Sequence, residues 1–292
     1  RHFSAELKSR GYDVHVLDVK ATSAQDCRAF FQWSLNHRRS GAVVDPYDLV
    51  VHCAAVVGGR EMIERDPLAT AESLSIDAEM FRWAAVARPG RVLYLSSSAA
   101  YPVGFQRLAG PAGYRLHEDD VWGTDGMIDP DEIYGWSKVT GELLADRLRK
   151  AGVPVTVVRP FSGYGEDQDD TYPFRAILER VRALVPGQPL DLWCGDCTRD
   201  WIHVDDVVRG ALAVAASGTT DPVNLCTGRA TTFVRLAEIF LSFAGLHGCA
   251  VRPDPDAPQG VAYRVGNPGR MLTHYRPFVT LEDGIRTSLG VS

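Results

Sequence analysis

A doubly wound α/β fold is what this sequence predicts: a parallel sheet covered by helices, with a smaller C-terminal α/β lobe for substrate. Three observations carry it. Apolar runs of strand length at 48–55, 90–96 and 152–159 are separated by longer stretches of helical apolar spacing at 67–86 and 132–151. Strands alternating with helices build parallel sheets, because parallel neighbours need a crossover connection. The runs are apolar almost throughout, as strands covered on both faces require. The chain of 292 residues is also long enough for one large or two coupled α/β units.

The elements follow in order. Residues 3–10 have helical spacing, Gly11 stops the helix, and 12–18 form an expected strand ending in Asp18. A helix followed by a strand that ends in an acid is the second half of a βαβ unit that holds a dinucleotide. The first half, a strand and a glycine-rich loop, would lie before Arg1, so the natural chain is expected to start roughly fifteen residues earlier. Asp18 would accept hydrogen bonds from the adenosine ribose and repel a 2′-phosphate, favouring NAD over NADP, with Lys20 slightly weakening that choice.

The 48–55 strand delivers Ala54 and Ala55 and leads to Gly58-Gly59, small residues that let a cofactor backbone approach. A helix over 67–86 precedes the 90–96 strand, whose carboxyl end carries Ser96, Ser97 and Ser98, at the edge where open α/β sheets place ligands. The Gly-, Pro- and Asp-rich span 102–131 is expected to be loop. A helix over about 132–151 and the 152–159 strand complete the regular part. Beyond Pro160 the expectations are helices at 172–185, 205–216 and 234–244 and a short strand at 190–193. The chain is thus divided into a cofactor unit, 1–165, and a substrate lobe, 166–292, with interleaved elements.

Composition narrows the function. A net charge of −6 gives no basic footprint for nucleic acid. No apolar run approaches ~20 residues, so no membrane span is expected, nor does Arg1-His2-Phe3-Ser4 resemble a secretory signal. Six scattered cysteines are expected to be reduced thiols in a cytoplasmic setting. Cys194-Gly-Asp-Cys197 lacks a second ligand pair for zinc, and Gly195-Asp196 fits a turn better than a redox helix start.

Chemistry concentrates at Tyr134-Gly-Trp-Ser-Lys138. A phenol and an ammonium four residues apart share one helix face, and the ammonium favours the phenolate by charge attraction. A hydroxyl from the neighbouring strand end can hold a substrate oxygen while that base removes its proton, which with a nicotinamide nearby makes alcohol-to-ketone chemistry possible.

These residues, with His52-Cys-Ala-Ala55, Ser96-Ser-Ser-Ala-Ala-Tyr101, Arg159-Pro-Phe-Ser-Gly-Tyr-Gly165, Arg199-Asp-Trp-Ile-His-Val-Asp-Asp206, Asn224-Leu-Cys-Thr-Gly228 and Arg264-Val-Gly-Asn267, resemble the extended short-chain dehydrogenase/reductases of the NAD-dependent nucleotide-sugar epimerase/dehydratase family. The resemblance covers nearly the whole chain. It implies a Rossmann-like sheet, NAD as cofactor and a nucleotide sugar as substrate. It implies Tyr134 as catalytic base, Lys138 as its partner and nicotinamide-ribose ligand, and Ser97 as the hydroxyl, with Ser98 the fallback. Asp18, Ala54, Ala55 and Phe161 would line the cofactor; Ser98, Ser162, Arg199 and Arg264 would hold substrate, the arginines on its phosphates. The long helices resemble those that pair two subunits, which implies a homodimer. His203 is expected to be a structural histidine.

Departures from the family narrow the reaction. Related 4,6-dehydratases carry an Asp-Glu pair after the catalytic hydroxyl, decarboxylases a Glu two residues after it, and GDP-fucose synthase-like enzymes a Cys there. This chain has Ser98 and Ala99. Ser162 and Ser73 also stand where relatives often have Asn. Transient oxidation at C4 needs no further acid or base, so a nucleotide-sugar 4-epimerase is the expectation. A 4-ketoreductase uses the same residues in one direction. Gly58-Gly59 and Tyr101-Pro102 echo the GDP-fucose synthase and GDP-mannose epimerase branch, which keeps a 3,5-epimerase/reductase as an alternative. A non-catalytic dinucleotide-binding protein is disfavoured by the presence of Ser97, Tyr134 and Lys138.

Overall fold

The computed structural model describes residues 1–18, 47–58, 66–122, 128–254, 256 and 260–291. Lys20 and Gly59 fall outside them. Its main sheet has four parallel strands in the order β1 (Leu49–His52), β2 (Arg91–Leu95), β3 (Val155–Pro160) and β7 (Val223–Leu225). Helices cover both faces. On one side α2 (Pro67–Ala87) packs along α4 (Glu132–Lys150). Met80, Phe81 and Trp83 of α2 and Ala145 and Leu148 of α4 meet Val92, Tyr94, Val155 and Val157 from the strands. On the other side α6 (Val204–Ser217) covers Leu93 and Val158, and α1 (His2–Ser9) adds Phe3 and Leu7. Burial on both faces explains why these strands are apolar at nearly every position.

The rest of the chain forms two smaller sheets. Strand β6 (Thr198–His203) lies between β10 (Tyr263–Arg264) and β4 (Ser162–Tyr164), both parallel to it, and β8 (Ala230–Thr232) pairs antiparallel with its first half. Strands β5 (Leu190–Leu192) and β9 (Val251–Pro253) form a parallel pair. Helices α5 (Pro173–Ala183), α7 (Phe233–Phe243) and α9 (Leu281–Leu289) enclose a second core around Phe174, Trp201 and Phe240. The chain crosses between the two parts more than once, since α6 and β7 return to the main sheet after β6.

Three expectations need correction. Residues 12–18 form no strand; a strand exists only with a ladder partner, and none of the described residues pairs with this segment. His15 instead meets Tyr47 through a 3.2 Å contact to its hydroxyl. The span 102–131 is not all loop: it holds α3 (Val103–Ala109) and a 3₁₀ turn at Glu118–Trp122. The Gln106 amide secures α3 by donating to Tyr101 O at 2.8 Å and Pro102 O at 3.3 Å. Finally, Cys194 and Cys197 are not free thiols but a disulfide. The turn at Gly195-Asp196 brings their Cα atoms to 5.6 Å, within the span a disulfide bridges. The short Gly269–Leu272 helix is α8.

Candidate active site

The main sheet's carboxyl edge and the start of α4 converge through backbone contacts. Ser97 ends the strand and caps a 3₁₀ turn, Ser98–Ala100, by accepting from Ala99 N at 3.1 Å. The backbone N–H of Asp131, the residue before α4, donates to Ala99 O at 2.9 Å. Gly135 permits this approach: a Cβ there would stand 2.5 Å from Ala99 O and 2.8 Å from Pro130 Cβ. The glycine inside the Tyr134–Lys138 motif therefore lets the helix reach the serine turn. Glu132 takes a positive φ of 55° at that junction, a left-handed conformation uncommon for a residue with a side chain.

Tyr134 is half-buried and Lys138 almost wholly so. The Lys138 ammonium donates to Leu95 O at 3.1 Å and stands 5.6 Å from the Tyr134 ring centroid and 5.4 Å from that of Tyr94. One acceptor among the described residues leaves further N–H donors on a buried cation, which fits a ribose hydroxyl of a dinucleotide. Ala54 and Ala55 follow β1 at the same carboxyl edge and are open to solvent, wholly or in part. Ser73 on α2 fixes the segment after β1, accepting from Val56 N at 2.9 Å. Asp18 is exposed. The Phe161 ring is packed against Tyr101 in a buried cluster, and its backbone N–H donates to Leu225 O at 3.0 Å.

One turn beyond Lys138, Glu142 organises the layer below. Its carboxylate accepts from Arg159 Nε at 2.8 Å, from Arg159 Nη2 at 2.7 Å and from Ser96 Oγ at 2.5 Å. Arg159 also donates to Glu118 O at 2.6 Å and Tyr101 Oη at 3.2 Å, and Tyr101 in turn donates to Asn224 Oδ1 at 2.6 Å. Burial works against the Arg159 charge, but Glu142 and Tyr101, by charge and hydrogen bond together, hold the guanidinium above its ordinary pKa. Burial pushes the Tyr101 phenol up, opposed by Arg159. Sequence reasoning missed Glu142, although its spacing, four after Lys138 and eight after Tyr134, places it on the same helix face.

A second buried group lies behind Lys138. Asp77 accepts from Tyr94 Oη at 2.6 Å and meets His52 Nε2 at 2.8 Å. Burial raises the Tyr94 phenol well above its usual value, and the Asp77 charge adds to this. Gly141 leaves room for the Tyr94 ring against α4; any side chain there would overlap its hydroxyl. Tyr172, just before α5, was also missed. Burial raises its pKa, and charge interactions with Tyr134 and Asp169 add to the shift.

The two phosphate candidates come together from distant sequence. Arg199 and Arg264 are register partners on β6 and β10, so their side chains leave the same face of neighbouring strands roughly 4.8 Å apart. Arg264 is buried and anchored, donating to Gln106 Oε1 at 2.8 Å and Asp131 Oδ2 at 2.9 Å. Through Asp131 it ties the small sheet to the start of α4. Arg199 is half-buried over the Phe233 ring. Ser162, on β4, is half-buried beside Trp201 in register, and Ser98 is buried. His203 accepts from Asp205 N at 3.3 Å as the cap of α6. Among the described residues no group of three or more His, Cys, Asp or Glu side chains is arranged to hold a metal, and no helix is long and apolar enough to cross a membrane.

Comparison with known proteins agrees with this fold. The model of the NAD dependent epimerase/dehydratase family matches residues 1–226. A dTDP-4-dehydro-6-deoxy-D-allose reductase from Streptomyces bikiniensis is 29% identical over 263 residues, 89% of this chain and 73% of the relative. A GDP-mannose 3,5-epimerase 1 from Oryza sativa subsp. indica is 26% identical over 307 residues, covering 98% and 76%. Among solved structures, the UDP-glucose 4-epimerase of Thermus thermophilus in complex with NAD superimposes with a TM-score of 0.76 at 23% identity, over 99% of this chain and 94% of the other.

Proposed function

From its membership of the NAD dependent epimerase/dehydratase family, to which this chain belongs, we propose that the protein is a nucleotide-sugar 4-epimerase working through a transient 4-keto sugar. The observation that carries the reading is the convergence of Ser97, Tyr134 and Lys138 at one strand end, with Ser98 and Ala99 supplying neither carboxylate nor thiol for chemistry at C3 or C5. Lys138, Ala54, Ala55, Phe161 and Asp18 would hold NAD. Its nicotinamide, when bound, supplies the hydride acceptor and donor.

The chain's own residues do the acid–base work. Tyr134 takes the proton from the sugar O4 and returns it after the keto sugar has presented its other face. The Ser97 hydroxyl donates to that oxygen as it becomes a carbonyl. Lys138 places its ammonium beside the phenol ring, 5.6 Å from its centroid. Arg199 and Arg264 hold the substrate phosphates through planar forks of donors, and Ser98 and Ser162 contact the sugar. A homodimer through α2 and α4, where Leu74 and Leu143 are exposed, fits this reading.

A one-way 4-ketoreductase is the second reading. It is favoured by the 29% identity to the Streptomyces reductase across most of the chain. Incubating the protein and NAD⁺ with UDP-, dTDP- and GDP-sugars labelled with deuterium at C4, followed by mass spectrometry, separates the two. Isomerisation with the label kept is the expected result. Net reduction of the corresponding 4-keto sugars with added NADH or NADPH, without isomerisation of the labelled ones, establishes the ketoreductase instead. Deuterium taken up at C3 or C5 from deuterated water overturns both.

A further inference from the structure

A cleft of about 810 Å³ lies on the small sheet, lined in part by Arg107, Arg115, Arg229, Asp196, Thr198 and Tyr263. It contains none of Ser97, Tyr134 and Lys138, and it is not the face that carries the phosphate arginines. Side chains alternate along a strand, so Thr198 points opposite to Arg199 on β6, and Tyr263 opposite to Arg264 on β10. The register pairs Thr198 with Tyr263 and Arg199 with Arg264, which puts the cleft and the arginine pair on opposite faces of one sheet.

The charge of this cleft is unbalanced. Arg229 is fixed by a two-pronged pair with Glu282 at 2.7 and 2.6 Å. Arg107, in the last turn of α3, and Arg115, after the turn at Gly113, are exposed, and neither donates a hydrogen bond or joins an ion pair with a described residue. Asp196 is the acidic side chain on the wall. With Arg229 matched by Glu282, Arg107 and Arg115 stand against the single Asp196 carboxylate in the lining, in a chain of net charge −6. The floor is rigid: the buried Asp200 carboxylate accepts from Thr227 N at 2.8 Å, Thr227 Oγ1 at 2.6 Å, Gly228 N at 2.8 Å and Gly266 N at 3.3 Å, which holds the turn leading to Arg229.

We propose that this cleft is a second ligand site, separate from the catalytic one, for a compound bearing a phosphate or pyrophosphate. Uncommitted guanidinium forks on a fixed wall suit phosphate oxygens, which accept two parallel N–H bonds from each fork. Clefts of roughly 300–1,000 Å³ accept ligands of small-molecule size, so a nucleoside diphosphate fits as well as a bare pyrophosphate. The inference does not depend on which sugar the catalytic site turns over.

Calorimetric titration of the intact protein, with NAD present in excess, tests it using pyrophosphate and ADP as probes. Any phosphate binding at the catalytic site is weakened in R199Q. Beside it, wild type is expected to show a second pyrophosphate site that R199Q keeps and that is about tenfold or more weaker in R107Q/R115Q, from the loss of charged hydrogen bonds. Added salt should weaken the binding. Tighter binding of ADP than of pyrophosphate, again lost in R107Q/R115Q, identifies a nucleotide as the ligand; equal binding identifies the phosphate group alone. Both arginines are exposed, so an unchanged melting temperature confirms that the double variant is folded. No binding to wild type, binding that R107Q/R115Q leaves unchanged, or binding removed entirely by R199Q so that no second site remains overturns the proposal.

Discussion

Two arginine–carboxylate pairs of the same chemistry serve different ends in this molecule. Arg159 and Glu142 form a two-pronged pair beneath the serine turn, with side chains 1% and 5% exposed. Arg229 and Glu282 form another at the rim of the cleft, 48% and 33% exposed. In the buried pair, every neighbouring polar group is enlisted: Ser96, Tyr101 and Glu118 complete the network. In the exposed pair, water can replace either partner. Pair geometry therefore does not set the worth of an ion pair. Burial does, because a charge removed from water must find all its partners within the protein.

Variants that probe this contrast fall in order of expected effect. Tyr134→Phe removes one oxygen above the buried network and none of its bonds. Turnover should fall by about 10²–10⁴-fold, the usual worth of a general acid–base group, with the denaturation midpoint unchanged. Product formation with a labelled nucleotide sugar checks it, and retained activity would leave the enzymatic reading without its base. Arg159→Leu strands the Glu142 carboxylate in the core and should cost about 3–5 kcal/mol in urea unfolding. A loss as small as that of a surface pair would erase the distinction between the two sites.

Gly135→Ala tests the contact that joins the serine turn to the start of α4. The added methyl must displace Ala99 O or Pro130, so we expect a loss of about 1–3 kcal/mol despite the better helix propensity of alanine. Turnover should fall with it as α4 moves away from Ser97. The smallest effect belongs to Glu282→Gln, about 0–1 kcal/mol for a pair so open to solvent. Hydrogen bonding to Arg229 holds the folded Glu282 carboxyl below its ordinary pKa. Its contribution is therefore present above the usual glutamate range and lost as pH falls through the depressed folded value. Thermal melts of wild type and variant should converge on acidification; a gap that widens instead would reverse the sign of the linkage.

Much of the main sheet and its carboxyl edge could be anticipated from local pattern. The strands at 48–55, 90–96 and 152–159 and the helices at 67–86 and 132–151 correspond to β1, β2, β3, α2 and α4 with small shifts at their ends. Strands and helices of this kind advertise themselves through short-range periodicity and apolar content. The exceptions show where that logic stops. Residues 12–18 have strand composition but no ladder partner among the described residues, and α3 sits in a stretch whose glycines and prolines suggested loop.

Local pattern was enough to say which residues could share a helix face or a strand end: Tyr134 with Lys138, and Ser97 at the close of β2. Those relations depend on 3.6- and 2-residue periods, which any stretch of chain carries within itself. Only the folded chain sets Arg199 beside Arg264, holds Arg264 with Gln106 and Asp131, closes Glu142 on Arg159 and bonds Cys194 to Cys197. It also gathers Arg107 and Arg115 into one cleft with Arg229. Such meetings arise from strand register and from the packing of distant surfaces, and those depend on every element at once rather than on any one segment.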